Sequence, residues 1–210
     1  MIRLYLDTAD RAVAEPLLAT GLFAGLTTNP TILRRAGLTG AAVPEVHRWA
    51  TAAGAREVFL QAWGDDLVAK GRELRDLGGN VVVKVVASLP GASACAQLSA
   101  QGVPTLLTAV YAPGQALVAA AAGATYVAPY LGRMTDAGRD GAGDVVAMQE
   151  ILAGTSTTIL AASVRDVPSM VSLARRGVRC FTFAPSVARE LFADELTADA
   201  VRAFEEDAAP

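Results

Sequence analysis

One lysine stands out by its surroundings. Lys84 sits inside Asn80-Val81-Val82-Val83-Lys84-Val85-Val86, a run of valines stiff at χ1 and suited to an extended strand. A strand apolar on both faces is buried on both faces, and an ammonium there loses the hydration that keeps it charged. Its pKa is expected to fall, which yields a free amine able to attack a carbonyl carbon. Composition sharpens the point. Of 18 basic residues only Lys70 and Lys84 are lysines, and the rest are arginines, which cannot give up a proton. From the run alone two readings stand level: a Schiff-base lysine, or an edge lysine that snorkels to water.

Imine chemistry dictates what should accompany the lysine. The amine adds to a ketone, loses water and leaves a cationic imine that draws electrons from the neighbouring carbon–carbon bond. A tyrosine or carboxylate must move protons, hydroxyls and amides suit a polyol, and arginine suits a phosphate. Candidates fall at the ends of apolar runs: Asp7, Thr27-Thr28-Asn29, Gln61, Thr108, Tyr130, Arg133 and Ser163, with Arg165 two residues further on. Singly, most have a plainer role. Asp7 and Asn29 cap helices, Thr108 fills a strand, and Gln61 is a satisfied interior amide. Together, round one buried lysine, they read as a site.

The elements that would position them repeat along the chain. Apolar runs start near residues 2, 24, 56, 80, 104, 125, 157 and 180, and a helical pattern follows each. Ile2-Arg3-Leu4-Tyr5-Leu6 alternates with period two before Asp7-Thr8, and Pro30 suits the first turn of a helix after Asn29. Eight such units predict a (β/α)8 TIM barrel with an extra C-terminal helix over about 197–208, in a single domain spanning 1–210. A doubly wound sheet is the runner-up and would show fewer repeats. Barrels of this kind keep their chemistry at the C-terminal strand ends, where the polar residues fall. Gly132–Gly143, glycine-rich and without a packing pattern, is expected to form a mobile lip.

Several functions are disfavoured by composition. Net charge is −3 with no basic run, so no nucleic-acid surface is expected. The longest apolar passage, Ala116 to Leu131, is broken by Gly123 and Pro129 and is poor for a membrane span. The N-terminus lacks a leader pattern, so the expected location is cytoplasmic, with no membrane partner. Cys95, Cys180 and the lone His47 make no metal pattern; the cysteines read as small core residues.

The motifs also carry a family resemblance. Leu6-Asp7-Thr8, Leu26-Thr27-Thr28-Asn29-Pro30-Thr31, Val83-Lys84-Val85, Tyr126-Val127-Ala128-Pro129-Tyr130-Leu131-Gly132-Arg133 and Ala161-Ala162-Ser163 resemble the small transaldolase and fructose-6-phosphate aldolase family. The resemblance implies a class I aldolase barrel with no metal and no cofactor, and Lys84 as the imine-forming lysine. It implies that Asp7 assists proton transfer, that Thr28 and Asn29 hold substrate, and that Arg133 and Ser163 bind phosphate. It further implies a homo-oligomer, built by C-terminal helices that pack on neighbouring subunits. Gln61 and Tyr130 look like the aldolase branch, whereas transaldolases typically carry glutamate and phenylalanine there. On that basis cleavage of fructose 6-phosphate to dihydroxyacetone and glyceraldehyde 3-phosphate is preferred, with Tyr130 acting through a water held by Gln61 and Thr108. A transaldolase is the alternative, and a non-catalytic sugar-phosphate binder a third reading. Substrates would be a sugar phosphate, or a hydroxyketone plus an aldehyde. Departures from the family pattern are Val86, where proline is usual, Trp63 near the expected mouth, and Met134-Thr135-Asp136. Val86 and Trp63 are expected to narrow or reshape the donor pocket.

Overall fold

The structure is a computed structural model and describes residues 1–209; Pro210, the end of the expected domain, lies outside them. Eight parallel strands close into a barrel in chain order. They are β1 (Arg3–Asp7), β2 (Gly25–Thr27), β3 (Glu57–Gln61), β4 (Val81–Val86), β5 (Thr105–Val110), β6 (Tyr126–Pro129), β7 (Thr158–Val164) and β8 (Cys180–Phe183). Helices separate successive strands, and β1 pairs with β8 from Arg3–Cys180 to Leu6–Phe183 to complete the ring. This is a TIM barrel, not a doubly wound sheet. No helix among the described residues is long and apolar enough to cross a membrane.

Strand parity sorts side chains into two cores. Tyr5, Phe59, Val82, Leu106, Tyr126 and Leu160 fill the barrel, whereas Leu6, Leu26, Leu60, Val83 and Val85 pack beneath the helices. In β1 the leucines therefore face outward, and Arg3, Tyr5 and Asp7 share the inward face. That parity builds a polar floor the sequence reading missed. Tyr126 Oη donates to Glu57 Oε1 at 2.7 Å, Tyr5 Oη donates to Glu57 Oε2, and Arg3 reaches both Glu57 and Tyr126. Every buried side-chain polar atom among the described residues finds a partner.

Two bulges interrupt the alternation at the mouth. Register shifts between Leu107 and Val110 on β5, and between Ala161 and Val164 on β7. Each shift holds a non-glycine residue in the left-handed region, Ala109 at φ 58° and Ser163 at φ 55°. Such backbone is costly and re-aims the chain where it occurs. The β7 bulge lets Ala162 and its neighbour Ser163 both face the mouth.

Three expectations need correction. Gly132–Gly143 is not a loose lip: it holds the helix Leu131–Asp136 and the start of the helix Gly141–Ile151. Gly132 and Gly141 serve close packing: a Cβ on Gly132 would stand 2.5 Å from the Ser163 carbonyl oxygen, and one on Gly141 3.0 Å from the Leu131 carbonyl oxygen. Trp63 turns away from the mouth, into a slot where a Cβ on Gly40 would meet the indole at 2.6 Å, with Lys70 Nζ 4.8 Å over its ring. The chain leaves β3 after Gln61 and turns through Gly64 at φ 96°, so strand alternation no longer aims Trp63 inward. Val86 is 40% exposed, and neither it nor Trp63 lines the cavity at the barrel mouth. A short helix, Pro185–Glu190, follows β8 and completes the eighth strand–helix unit ahead of the last helix.

The last helix, Glu195–Ala208, is capped by Asp194 Oδ1 accepting from Thr197 N at 3.0 Å. None of its residues is buried, and Leu196, Val201 and Phe204 stand in solvent beside Phe192.

Candidate active site

The C-terminal strand ends enclose a cavity of about 270 Å³, at the small end of ligand pockets, which run roughly 300–1,000 Å³. Lys84 is 5% exposed, and its side chain lines that cavity. Snorkelling is thereby excluded, because the ring has no edge from which the lysine reaches bulk water. Its ammonium donates to the Thr28 carbonyl at 2.6 Å. Desolvation lowers its pKa from 10.5 to about 8, with the Asp7 charge opposing the fall.

Asp7, at the end of β1, pairs in register with Thr27 at the end of β2. Burial raises the Asp7 carboxyl above its usual range, while Lys84, the Thr27 hydrogen bond, Arg133 and Arg35 pull it back. No ion pair joins Asp7 to Lys84 among the described residues. Each is held by a separate partner. Thr27 Oγ1 donates to Asp7 Oδ1 at 2.6 Å and lies 2.6 Å from Thr182 Oγ1. A hydroxyl has one proton, and Thr27 gives its own to the carboxylate, so Thr182 must donate to Thr27. The result is a relay running Thr182 to Thr27 to Asp7.

Thr182 was not anticipated. It supplies β8, the one strand for which the sequence reading found no polar group at the mouth. A signal existed: Cys180 faces the barrel interior, and a residue two further along shares that face. Thr31 and Arg35, on the helix Pro30–Arg35, also line the cavity unanticipated. That helix is set by Asn29, whose Oδ1 accepts from Ile32 N at 2.9 Å, with Pro30 in its first turn. Capping uses the carbonyl end of the amide and leaves its NH₂ without a partner among the described residues.

Across the cavity, Tyr130 Oη and Thr108 Oγ1 are 3.0 Å apart. Burial raises the Tyr130 phenol, and the Thr108 hydrogen bond partly offsets this. The Arg133 guanidinium lies 4.8 Å over the Tyr130 ring and donates to Tyr111 Oη at 3.3 Å. Arg165 lines the cavity too, but both arms of its fork engage Asp136, one at 2.5 Å.

The cavity thus brings together Lys84, Asp7, Thr27, Asn29, Thr108, Tyr130, Arg133, Ser163 and Arg165. Two expected residues lie outside its lining. Thr28 turns its hydroxyl to the Phe59 carbonyl at 3.4 Å and meets Lys84 through its backbone. Gln61 is half-buried, in register with Lys84 across the β3–β4 pair, and its side chain makes no hydrogen bond among the described residues.

Known proteins bear on this arrangement. The profile described as Transaldolase/Fructose-6-phosphate aldolase matches residues 4–209. A "Probable transaldolase" of Caulobacter sp. (strain K31) is 37% identical over 210 residues, covering 98% of this chain and 96% of that protein. One of Nitrosopumilus maritimus (strain SCM1) is 34% identical, covering 98% and 94%. Among solved structures, mandelate oxidase with benzoyl-formic acid superposes with a TM-score of 0.62 at 15% identity. That match covers 87% of this chain and 64% of the oxidase, and it speaks for the barrel fold alone.

Proposed function

The chain belongs to the transaldolase/fructose-6-phosphate aldolase family and is an enzyme of it, and on that premise we propose that it transfers a dihydroxyacetone unit between sugar phosphates through an imine at Lys84. The observation that carries the chemistry is a cavity lysine with its pKa near 8, facing a separately held carboxylate. Relatives along nearly the whole chain are named probable transaldolases, so transfer takes precedence over the cleavage preferred on sequence motifs.

In this reading the neutral Lys84 amine adds to the ketose C2 carbonyl, and loss of water gives the iminium. A base takes the C4 hydroxyl proton, the C3–C4 bond breaks, and its electron pair forms the C2–C3 enamine. The shorter aldose phosphate leaves. The enamine then attacks the aldehyde carbon of an acceptor, whose oxygen regains a proton, and water hydrolyses the new iminium to free Lys84. Asp7 is the proposed proton carrier on the Lys84 side, with Tyr130 and Thr108 opposite. Asn29 would hold substrate hydroxyls, and Arg133 with Ser163 the phosphate.

A second reading has a specific observation behind it. Gln61 puts a neutral amide rather than a carboxylate at the end of β3, and Tyr130 sets a phenol 3.0 Å from Thr108. A proton delivered from that side to the enamine carbon, followed by hydrolysis, releases free dihydroxyacetone. Product analysis separates the two. Transfer requires that glyceraldehyde 3-phosphate accumulate from fructose 6-phosphate only when erythrose 4-phosphate is added. Free dihydroxyacetone without an acceptor supports cleavage.

The remaining parts of the proposal are a single domain over 1–210, a cytoplasmic setting, and a homo-oligomer. The unburied helix Glu195–Ala208 supports the last, since Leu196, Val201 and Phe204 have no cover on their own barrel.

A further inference from the structure

Arg133 and Arg165 line the same cavity but are held differently. Arg165 gives both arms of its fork to the Asp136 carboxylate, which offsets its charge. Arg133 meets no carboxylate among the described residues. Its Nη1 donates to the Tyr111 hydroxyl at 3.3 Å, and its guanidinium lies 4.8 Å over the Tyr130 ring. The Tyr111 ring in turn stands edge-on to Tyr130, with centroids 5.6 Å apart and planes at 72°. Three side chains thus brace one another in a triangle. A neutral hydroxyl orients a guanidinium without cancelling its charge, and it occupies only one of five N–H donors. The fork keeps donors available for a bidentate anion.

Tyr111 reaches this position because β5 breaks its alternation. Leu106 faces the barrel interior and Thr108 the cavity, so an unbroken strand would turn Val110 inward as well. The bulge, with Ala109 at φ 58°, instead sends Val110 beneath the helices, and Tyr111 packs against the inner cluster that holds Tyr130. Left-handed backbone at an alanine is unfavourable, and here it exchanges Val110 for Tyr111 on the inner side. The turn is pinned from behind, where Gln115 Oε1 accepts from Tyr111 N at 2.8 Å and from Ala112 N at 3.0 Å. Tyr130 N donates to the Val110 carbonyl at 3.0 Å, which ties the two tyrosine-bearing strand ends together. We infer that Tyr111 is a positioning residue for phosphate recognition, its hydroxyl holding Arg133 over Tyr130 so that the guanidinium meets the substrate phosphate. It acts through Arg133 and does not itself touch substrate. This rests on the ketose-phosphate and Lys84 reading above and names a residue that favours phosphorylated substrates at that site.

Borohydride trapping at Lys84, read by mass spectrometry across ketone concentration, gives a half-saturating value whether turnover is transfer or cleavage. The probes are fructose 6-phosphate and dihydroxyacetone, which has no phosphate, with wild type, Tyr111→Phe, Arg133→Ala and the double variant. Tyr111→Phe keeps the ring and its edge contact and loses only the acceptor. It should raise half-saturation by fructose 6-phosphate about fivefold more than by dihydroxyacetone, the worth of one hydrogen bond. In the Arg133→Ala background the same change should have no further effect, because the two residues act as one unit. Equal shifts for both probes overturn the inference in favour of a purely structural role. So does a Tyr111→Phe effect that persists without Arg133. If Arg133→Ala shifts both probes alike, the phosphate is held elsewhere and the inference falls. No wild-type adduct with either probe overturns the Schiff-base reading itself, and the inference with it.

Discussion

Lys84 on β4 donates to the backbone carbonyl of Thr28, just past β2, at 2.6 Å. The lysine is therefore aimed by a strand two places away in the ring, through a group no side-chain substitution removes. Attack on a ketone needs the neutral amine. With the pKa near 8, the rate of adduct formation should rise with pH, reach half its limit near 8 and then level off. Stopped samples reduced with borohydride over a pH series measure this. A rate still climbing at the ordinary lysine value of 10.5 would show that burial does not tune the amine.

The same burial costs stability, and the sign can be worked out. Between about 8 and 10.5 the unfolded chain binds the Lys84 proton and the folded chain does not, so wild-type stability rises with pH across that window. Lys84→Met lacks the group. The difference between wild type and variant should shift in favour of wild type by about 3 kcal/mol from pH 8 to 10.5. Urea unfolding of both proteins at each pH reads it, because other titrating groups cancel. A difference that stays flat with pH would contradict the buried ammonium.

Thr182→Val removes the donor to Thr27 while keeping the shape of the side chain. The Thr27 hydroxyl is then free to turn away from Asp7. We expect kcat to fall about tenfold with KM little changed, the worth of one hydrogen bond. Thr182→Ser should restore most of the loss. If KM moves and kcat does not, the relay does not act on Asp7.

Gly132→Ala tests the bulge on β7. The added Cβ would stand 2.5 Å from the Ser163 carbonyl and 2.7 Å from Arg165 Nε, so the strand end must move. Such overpacking costs about 1–3 kcal/mol. KM for a phosphorylated ketose should rise more than KM for an unphosphorylated one, since Ser163 and Arg165 are displaced together. Steady-state kinetics on fructose 6-phosphate and fructose compare them. An equal change in both would separate the bulge from phosphate binding.

Some of this was open to reading from residue types. Lys84 declared itself as an ammonium among valines, and the barrel through eight apolar runs whose starts match the strands to within one residue. Residues with no chemical oddity were silent. Threonine is common in strands, so Thr182 drew no notice until ring closure placed it beside Thr27. An arginine at a helix end reads as surface, and only the facing of the helix Pro30–Arg35 brings Arg35 to the cavity. Glycines misled in the opposite direction. Gly132 and Gly141 suggested slack, yet they permit tight packing of two helices against the mouth. Trp63 misled because strand alternation was carried past the point where the chain leaves β3.

The claim that Lys84 forms the imine is tested most directly by incubating the protein with fructose 6-phosphate, reducing with borohydride and mapping the adduct by peptide mass spectrometry. The account predicts one reduced three-carbon adduct, on the peptide containing Lys84, absent from Lys84→Met while that variant still unfolds cooperatively. An adduct on Lys70, which sits at the surface beside Glu73, or none at all, would contradict it.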